Sequence, residues 1–134
     1  TCPAKVNPEN IIRPIQNYEI SSSFGSPALW DTVSRHCNKE SIQLTSLKRI
    51  LIAGAPVSGT LLKRFESILG SDCKVLTPYG ATEALPVTSI DRKEIINDTW
   101  AQSEKGNGTC VGKPVPGAEI KVIKICPCKN KKKL

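Results

Sequence analysis

The sequence predicts an α/β fold with a βαβ core of parallel strands and a mixed β segment at the C-terminal end. Residues 50–53 form a continuous apolar run of strand length, and the stretch CKVLTPYG, residues 73–80, supplies a second strand. An amphipathic pattern of helical period separates them, over residues 58–69. Strand–helix–strand crossovers are right-handed and join parallel neighbours, so the two strands should pair side by side.

The N-terminal part of the chain adds a strand and a helix. The opening TCPAKVNPEN has the composition of a loop, and residues 11–15 form an amphipathic piece that Pro14 interrupts. Residues 18–22 alternate weakly, which predicts a short strand. Ser26 and Pro27 predict a helix start, because serine is a favoured N-cap residue and proline suits the first helical position. This helix is expected to end near residue 38, with an apolar stripe of Leu29, Val33 and Cys37 and with Trp30 beside it.

The helix of the βαβ unit has clear signals at both ends. The turn GAP, residues 54–56, breaks the preceding strand, and Ser58 can cap the helix. Gly70 occupies the place of a C-terminal capping glycine. The apolar positions fall on one face, as expected for a helix that packs on a sheet. They are Leu61, Leu62, Phe65, Ile68 and Leu69.

Beyond residue 83 the pattern returns to β structure and then to a helix. ALPVTSI, residues 84–90, predicts a strand, and Asp91 with Glu94 predicts a capping box. The helix after this box carries Ile95, Ile96 and Trp100. SEKGNG indicates a loop, VGKPVPG indicates a rigid turn, and AEIKVIKI, residues 118–125, predicts a final strand.

Composition limits the classes of function. The chain has 134 residues, which suits one domain, with 39% hydrophobic and 23% charged residues. The net charge is +7, and four of these charges come from lysines of the C-terminal tail, Lys129, Lys131, Lys132 and Lys133. With 4% aromatic residues and scattered basic residues elsewhere, a nucleic-acid surface is not indicated. A basic tail that docks to nucleic acid or to an acidic surface is the alternative.

The cellular context is inferred from missing signals. No apolar run reaches the ~18 residues of a membrane span, and no export signal opens the chain. We therefore expect a cytoplasmic protein whose six cysteines are reduced. Cys126 and Cys128, with a single histidine at His36, make only a weak zinc signature. The chain begins with Thr1 and contains no methionine, so we expect a fragment of a longer protein.

Two unusual loops should meet at one edge of the predicted sheet. The turn GAP and the stretch YGATE, residues 79–83, each follow a strand. Parallel strands end at the same edge, and ligands of open α/β sheets bind outside the carboxyl ends of the strands. We therefore expect the two loops to lie together at a binding site.

The YGATE stretch carries groups that suit a nucleotide. Tyr79 offers a flat apolar face for a heteroaromatic base, and Gly80 allows a ligand to approach the backbone. The Thr82 hydroxyl can donate to a phosphate oxygen, and Glu83 is a hard oxygen ligand of the kind that Mg²⁺ takes. The competing interpretation is an ordinary turn with an exposed tyrosine and a solvated glutamate.

Three motifs, in this order and spacing, resemble the adenylate-forming superfamily of acyl-CoA synthetases, luciferase and peptide-synthetase adenylation domains. YGATE resembles the Tyr-Gly-x-Thr-Glu motif of that family, and AGAP, residues 53–56, is similar to its glycine-rich adenine loop. GTCVGKPVPGAEIKVI, residues 108–123, is similar to the G-x-VG-x-P-x-PG segment that follows. The resemblance covers residues 10–125. It is strongest to the long-chain fatty-acid branch, which includes β-lactone synthetases of olefin biosynthesis.

The resemblance implies a role for each matching residue. Tyr79 would stack on adenine, Thr82 would hydrogen-bond the α-phosphate, and Glu83 would ligate Mg²⁺, the last two as catalytic residues. The helix that carries Trp30 would border the acyl pocket. The implied nucleotide-binding set is Gly54, Ala55, Pro56, Tyr79, Gly80, Ala81 and Thr82.

The resemblance also implies an activity. A small-molecule carboxylate would react with ATP, in the presence of Mg²⁺, to give an acyl-adenylate that passes to coenzyme A or another acceptor. Residues 1–125 would be part of an AMP-binding domain, completed by the remainder of the parent enzyme, and residues 126–134 a basic Cys/Lys tail. The family's phosphate loop, ribose aspartate and catalytic lysine have no match, so the segment alone is expected to be inactive. Two alternatives stay open: a non-catalytic nucleotide-binding or interaction module, and a peptide-synthetase-type domain that activates an amino acid.

Overall fold

In the computed structural model, which describes residues 6–124, five strands form one mixed sheet whose spatial order follows the chain. The strands are β1 (Ser22–Gly25), β2 (Arg49–Ile52), β3 (Lys74–Ala81), β4 (Ala84–Asp91) and β5 (Lys113–Pro114). β1, β2 and β3 are parallel, whereas β4 is antiparallel to both β3 and β5. The predicted α/β class, with a parallel βαβ core, is confirmed.

Helices connect the parallel strands on one side of the sheet. α1 (Glu9–Asn17) precedes the sheet, α2 (Pro27–Lys39) links β1 to β2, and α3 (Gly59–Ile68) links β2 to β3. A continuous helical segment, α4, follows β4. It consists of α-helical Arg92–Glu94, a π-helical turn Ile95–Thr99 and α-helical Trp100–Glu104. The core therefore contains two successive βαβ units. None of the helices between residues 6 and 124 is long and apolar enough to cross a bilayer.

The start of the chain differs from the sequence prediction. Residues 9–17 form a helix although Pro14 lies inside it, because Ile12 and Ile15 bury their side chains in the core. Tyr18 caps this helix through its backbone N–H, which donates to the Pro14 carbonyl. The predicted strand at residues 18–22 is therefore wrong in position, and the strand begins at Ser22, opposite Arg49.

The predicted helix starts are confirmed. The Ser26 and Ser58 hydroxyls accept hydrogen bonds from the backbone N–H groups of Leu29 and Leu61, each at 3.2 Å. Asp91 and Glu94 form the expected capping box at the start of α4. These caps satisfy N–H groups that lack a partner inside the helix.

The expected C-terminal glycine cap of α3 is not formed. Gly70 has no left-handed backbone conformation, and Leu69 ends the helix in an extended conformation with φ −112° and ψ 154°. Leu69 makes an isolated parallel bridge with Leu44, whose backbone N–H donates to the Ile68 carbonyl at 2.7 Å. This bridge satisfies a terminal carbonyl of α3, so a left-handed glycine is not needed for that purpose.

The core lies between the sheet and the helices α2 and α3. Ile50, Ile52 and Val75 of the strands are buried on this side. Trp30 and Phe65 pack edge to face, with ring centroids 5.8 Å apart and an interplanar angle of 77°. Trp30 itself is fully buried here, and the role of its helix beside an acyl group stays a prediction. On the opposite side of the sheet Phe24 is exposed, whereas Leu51 and Leu76 are partly buried.

The stretch YGATE is not the loop that was predicted. β3 continues through Ala81, and only Thr82 and Glu83 separate it from β4, so the two strands form a hairpin. The register shifts between Tyr79 and Ala81, which indicates a bulge. The predicted strand at residues 73–80 already contained Tyr79 and Gly80, and pairing with β4 extends β3 to Ala81.

The predicted strand at residues 118–125 is absent from its described part, residues 118–124. β5 is confined to Lys113–Pro114, and the Ala118 N–H then donates to the Val115 carbonyl in a turn that contains Gly117 at φ +87°. After this turn no neighbouring strand among the described residues pairs with the chain, and Val122 is 97% exposed. The tail, with Cys126, Cys128 and its four lysines, lies outside the described residues.

Candidate functional site

A groove of about 770 Å³ lies at the carboxyl ends of β2 and β3. Two of its walls are residues 52–57, at and after the end of β2, and residues 77–82, which end β3. The structure brings together at this groove Gly54, Ala55, Pro56, Tyr79, Gly80, Ala81 and Thr82. The prediction that AGAP and YGATE lie side by side is therefore confirmed. The roles assigned to their residues stay predictions.

Strand register explains this convergence. β2 and β3 are parallel and pair Ile50 with Val75 and Leu51 with Leu76. β2 ends at Ile52, whereas β3 continues to Ala81. The end of β3 therefore projects beyond β2 and stands as a wall beside the GAP turn.

Gly54 makes the turn out of β2 possible. Its φ is +94°, a left-handed conformation that side chains disfavour. No heavy atom lies within 4 Å of the position that a Cβ would occupy. The backbone at Gly54 is therefore bare and open along one wall of the groove.

Tyr79 and Gly80 have different neighbours. Tyr79 lines the groove with 56% of its surface exposed, and it pairs with Thr88 across the hairpin. A Cβ at Gly80 would lie 2.3 Å from the Ala84 carbonyl oxygen. The hairpin itself therefore requires glycine at this position, a reason that the sequence did not suggest.

Thr82 and Glu83 form the two-residue connection of the hairpin. Both are exposed, and Thr82 lines the groove. Glu83 is not among the groove-lining residues, so the structure places the predicted metal ligand next to the groove rather than in it. Between residues 6 and 124 no cluster of three or more histidine, cysteine, aspartate or glutamate residues could hold a metal ion.

A third wall comes from residues 109–111, which were not predicted as site residues. The Thr88 hydroxyl donates to the Val111 carbonyl at 2.5 Å and fastens this segment to β4. Gly112 has φ +84°, and a Cβ there would lie 2.2 Å from the Ser89 carbonyl oxygen. The glycine of VGKP therefore permits the close approach that carries Thr109 and Cys110 to the groove. The glycine at position 112 is the feature of the sequence from which this third wall could have been predicted.

The floor of the groove is aliphatic. Ile52, Val57 and Ile95 are its buried residues, with 1%, 6% and 6% of their surfaces exposed. Phe24, which is 61% exposed, stands at the rim. Within residues 6–124, no lysine, arginine, aspartate or glutamate is among the lining residues. The groove thus combines an apolar floor with a polar rim of backbone and hydroxyl groups.

The side chains whose pKa values are shifted lie away from this groove. A hydrogen bond from Arg35, together with the nearby charge of Arg64, lowers the pKa of Asp31. A hydrogen bond from Lys48 lowers the pKa of Asp72. Burial raises the pKa of Cys37 to about 11 and also raises that of Cys73. These groups serve interhelical and surface contacts, or sit in the core, and none of them lines the groove.

Comparisons with known proteins agree with the fold and with the motifs. Over 125 residues the chain is 38% identical to an olefin beta-lactone synthetase of Stenotrophomonas maltophilia and 33% identical to one of Xanthomonas campestris. Each alignment covers 93% of this chain and 22% of the relative, so the chain spans about a fifth of the length of these curated relatives.

A solved structure shows the same fold. O-succinylbenzoate coenzyme A synthetase from Bacillus subtilis, in complex with ATP and magnesium ion, superimposes with a TM-score of 0.67 at 17% identity. The match covers 93% of this chain and 24% of that structure. The sequence profile described as AMP-binding enzyme matches residues 2–129. This chain therefore belongs to the AMP-binding enzyme family.

Proposed function

We propose that the chain is part of an ATP-dependent ligase that forms acyl-adenylates. A carboxylate oxygen of a small-molecule acid would attack the α-phosphorus of ATP, giving an acyl-adenylate and pyrophosphate. The acyl group would then pass to coenzyme A or another acceptor. The observation that carries this proposal is the groove at the ends of β2 and β3, which gathers all seven nucleotide-binding candidates in a member of the AMP-binding family.

The shape of the groove supports a nucleotide. A volume of about 770 Å³ falls within the range of small-molecule sites. The exposed ring of Tyr79 offers a stacking surface for adenine, and the bare backbone at Gly54 leaves room for the edge of a base. Ala55 and Pro56 continue that wall.

The hairpin tip supports a role toward phosphate. The Thr82 hydroxyl, at the rim, would donate to an α-phosphate oxygen, and the neighbouring Glu83 would hold Mg²⁺. A single carboxylate suits Mg²⁺, which keeps several waters and binds substrate phosphates in such sites. When bound, Mg²⁺ supplies positive charge beside the phosphates.

The groove also indicates what the parent enzyme must add. Adenylation spreads negative charge around phosphorus, and pre-positioned cations stabilise that charge. The residues that line the groove in the described part of the chain include no lysine or arginine. We therefore propose that residues 1–125 form part of the AMP-binding domain, residues 126–134 form a separate basic tail, and the cations come from the remainder of the parent. The assignments to fatty-acid metabolism and to the cytoplasm belong to this proposal as well.

The same lack of cations favours a second candidate function, a module that binds nucleotide without turnover. The two candidates differ in one measurement on the full-length protein. A ligase exchanges radiolabelled pyrophosphate into ATP only when a carboxylate substrate is added. A binding module retains ATP but shows no exchange with any acid.

Substitution of Glu83 tests the assigned role. Glu83→Gln in the full-length protein should abolish carboxylate-dependent exchange, because the neutral amide holds Mg²⁺ poorly, while circular dichroism and the urea midpoint stay unchanged. Glu66→Gln is the matched control, since Glu66 is an exposed glutamate of α3 outside the groove. Exchange retained in Glu83→Gln at ordinary Mg²⁺ concentrations would contradict the role given to Glu83.

A further inference from the structure

We infer that Ile95 is a specificity-determining residue, whose side chain limits the size of the apolar acyl group that the groove accepts. This inference rests on the proposed function and assigns a substrate class to the same site. It depends on three observations: the buried floor, the π-helical turn that begins at Ile95, and the anchoring of that turn on both sides.

Ile95 contributes to the floor from a separate part of the chain. Ile52 and Val57 come from the end of β2 and the turn that follows it. Ile95 comes from α4, after the hairpin, and is 6% exposed. The floor is therefore a junction of two elements, and its depth depends on how far the Ile95 side chain reaches between them.

The backbone at Ile95 is locally remodelled. A π-helical turn runs from Ile95 to Thr99, and the Trp100 N–H donates to the Ile95 carbonyl. The Thr99 hydroxyl donates to the same carbonyl at 3.4 Å. A π-helical turn shifts the phase of a helix, and such turns are frequent at functional sites. Here the shifted residue is the one that lines the groove.

The turn is held from both ends. The Asp91–Glu94 capping box fixes the N-terminal end of α4. Trp100, at the C-terminal end of the turn, lies against Gly59 of α3. Ile95 is therefore a rigid part of the floor, and a change in its side-chain volume should appear as a change in groove depth.

The chemistry of the floor selects the ligand. Its three buried residues are aliphatic, and the part of the groove formed by residues 6–124 carries no carboxylate. A buried, unpaired charge is costly, so a charged tail is disfavoured against the floor of Ile52, Val57 and Ile95. The aliphatic floor therefore favours acids whose buried tail is uncharged and aliphatic.

The test uses the full-length protein and a series of straight-chain acids from butanoic to hexadecanoic acid. Ile95→Ala should move the optimum of carboxylate-dependent ATP–pyrophosphate exchange to longer acids, and Ile95→Phe to shorter ones. One methylene in an apolar pocket changes specificity by roughly tenfold or more, so the shift is measurable. The KM for ATP should stay within about twofold of wild type, because the nucleotide candidates form the walls of the groove and not its aliphatic floor.

Ile96→Ala is the matched control. Ile96 is the next residue of α4, is only partly buried and does not line the groove. Its substitution should leave the chain-length optimum unchanged. Ile95→Val, a smaller change, keeps the test valid if Ile95→Ala fails to fold.

The outcomes separate this inference from the proposed function. If wild-type protein exchanges pyrophosphate but neither Ile95 variant moves the optimum, or Ile96→Ala moves it equally, the inference is overturned and the function stands. If wild-type protein shows no exchange with any acid, the function fails. In that case calorimetric titration with decanoate alone still decides: Ile95→Phe should bind it at least about tenfold more weakly than wild type, and equal affinities overturn the inference.

Discussion

Trp100 lies directly against Gly59. A Cβ at Gly59 would be 2.4 Å from the Cδ2 and Cε2 atoms of the indole, closer than real Cβ contacts come. Gly59 is the first residue of α3, and Trp100 follows the π-helical turn that begins at Ile95. The contact therefore joins the helix after the hairpin to the helix after β2, beside the floor of the groove.

This contact predicts that Gly59→Ala destabilises the protein, although alanine is the better helix former. The methyl group has no room unless the indole moves, and overpacking of this kind costs about 1–3 kcal/mol. Urea unfolding followed by circular dichroism measures the loss. Thr60→Ala, at an exposed neighbouring position, should change stability little.

A double-mutant cycle tests whether the indole of Trp100 causes the loss of stability in Gly59→Ala. In a Trp100→Ala background the same Gly59→Ala change should cost much less, because the clash partner is gone. A Gly59→Ala protein as stable as wild type would show that Trp100 shifts freely. The rigid floor inferred around Ile95 would then lose its anchor.

Asp31 predicts a dependence of stability on pH. Its carboxylate accepts a hydrogen bond from Arg35 at 2.8 Å and pairs with Arg64 of α3, which also donates to the Ser34 hydroxyl at 3.1 Å. The Arg35 hydrogen bond is the largest cause that lowers its pKa. Because the folded pKa lies below the unfolded value of about 3.9, the stabilisation is complete above that value and is lost as the pH falls through the folded pKa.

Asp31→Asn should therefore lower stability at neutral pH and flatten its decline in acid. Urea midpoints at neutral pH and below about pH 4 measure both effects. Asp98→Asn is the control, because Asp98 is an exposed residue of α4 without an ion pair among those seen between residues 6 and 124. If the urea midpoint falls as steeply with decreasing pH in Asp31→Asn as in wild type, the pH dependence comes from other carboxylates.

Local signals in the sequence predicted local structure well. Ser26 and Ser58 predicted two helix starts, and both caps are present. Such a cap depends only on residues three positions apart in the chain, so the sequence alone reveals it. The adjacency of AGAP and YGATE was also predictable, because a parallel crossover places successive strand ends at one edge. What the groove residues do with a ligand remains a prediction.

Features that depend on distant partners were not predictable. The need for glycine at position 80 comes from the nearby Ala84 carbonyl across the hairpin. The burial of Trp30 comes with its edge-to-face contact with Phe65 of the next helix. The pattern AEIKVIKI alternates like a strand, but a strand needs an edge to pair with, and residues 118–124 have none within the described part of the chain. Cys110 reaches the groove through contacts of its neighbours with β4, the close approach of Gly112 and the Thr88–Val111 hydrogen bond.

Cys110 predicts a pattern of chemical labelling. It is exposed at the groove, whereas Cys37 and Cys73 are buried. Burial raises the pKa of Cys37 to about 11, which leaves about one thiolate in a thousand at pH 8, and the thiolate is the reactive form. Iodoacetamide at this pH, followed by peptide mass spectrometry, should label Cys110 well before Cys37 or Cys73. ATP should slow the labelling of Cys110 if nucleotide occupies the groove.

The labelling experiment has an internal control. Guanidinium chloride should remove the difference between Cys37 and Cys110, because unfolding exposes both thiols. Equal labelling rates in the folded protein would contradict the burial of Cys37. A rate at Cys110 that ATP does not change would argue against nucleotide beside residues 109–111.

Tyr79 predicts the contribution of stacking to ATP affinity. Tyr79 is 56% exposed and lines the groove, and base–aromatic stacking is worth about 1–3 kcal/mol per base by alanine substitution. Tyr79→Ala in the full-length protein should therefore weaken ATP binding by roughly five- to 150-fold, whereas Tyr79→Phe should stay close to wild type because the ring remains. Tyr18→Ala is the matched control, since Tyr18 is a 79% exposed tyrosine at the end of α1 and does not line the groove. Isothermal titration with ATP distinguishes the cases: unchanged affinity in Tyr79→Ala rules out stacking, and equal losses in Tyr79→Ala and Tyr79→Phe would assign the contribution to the hydroxyl group.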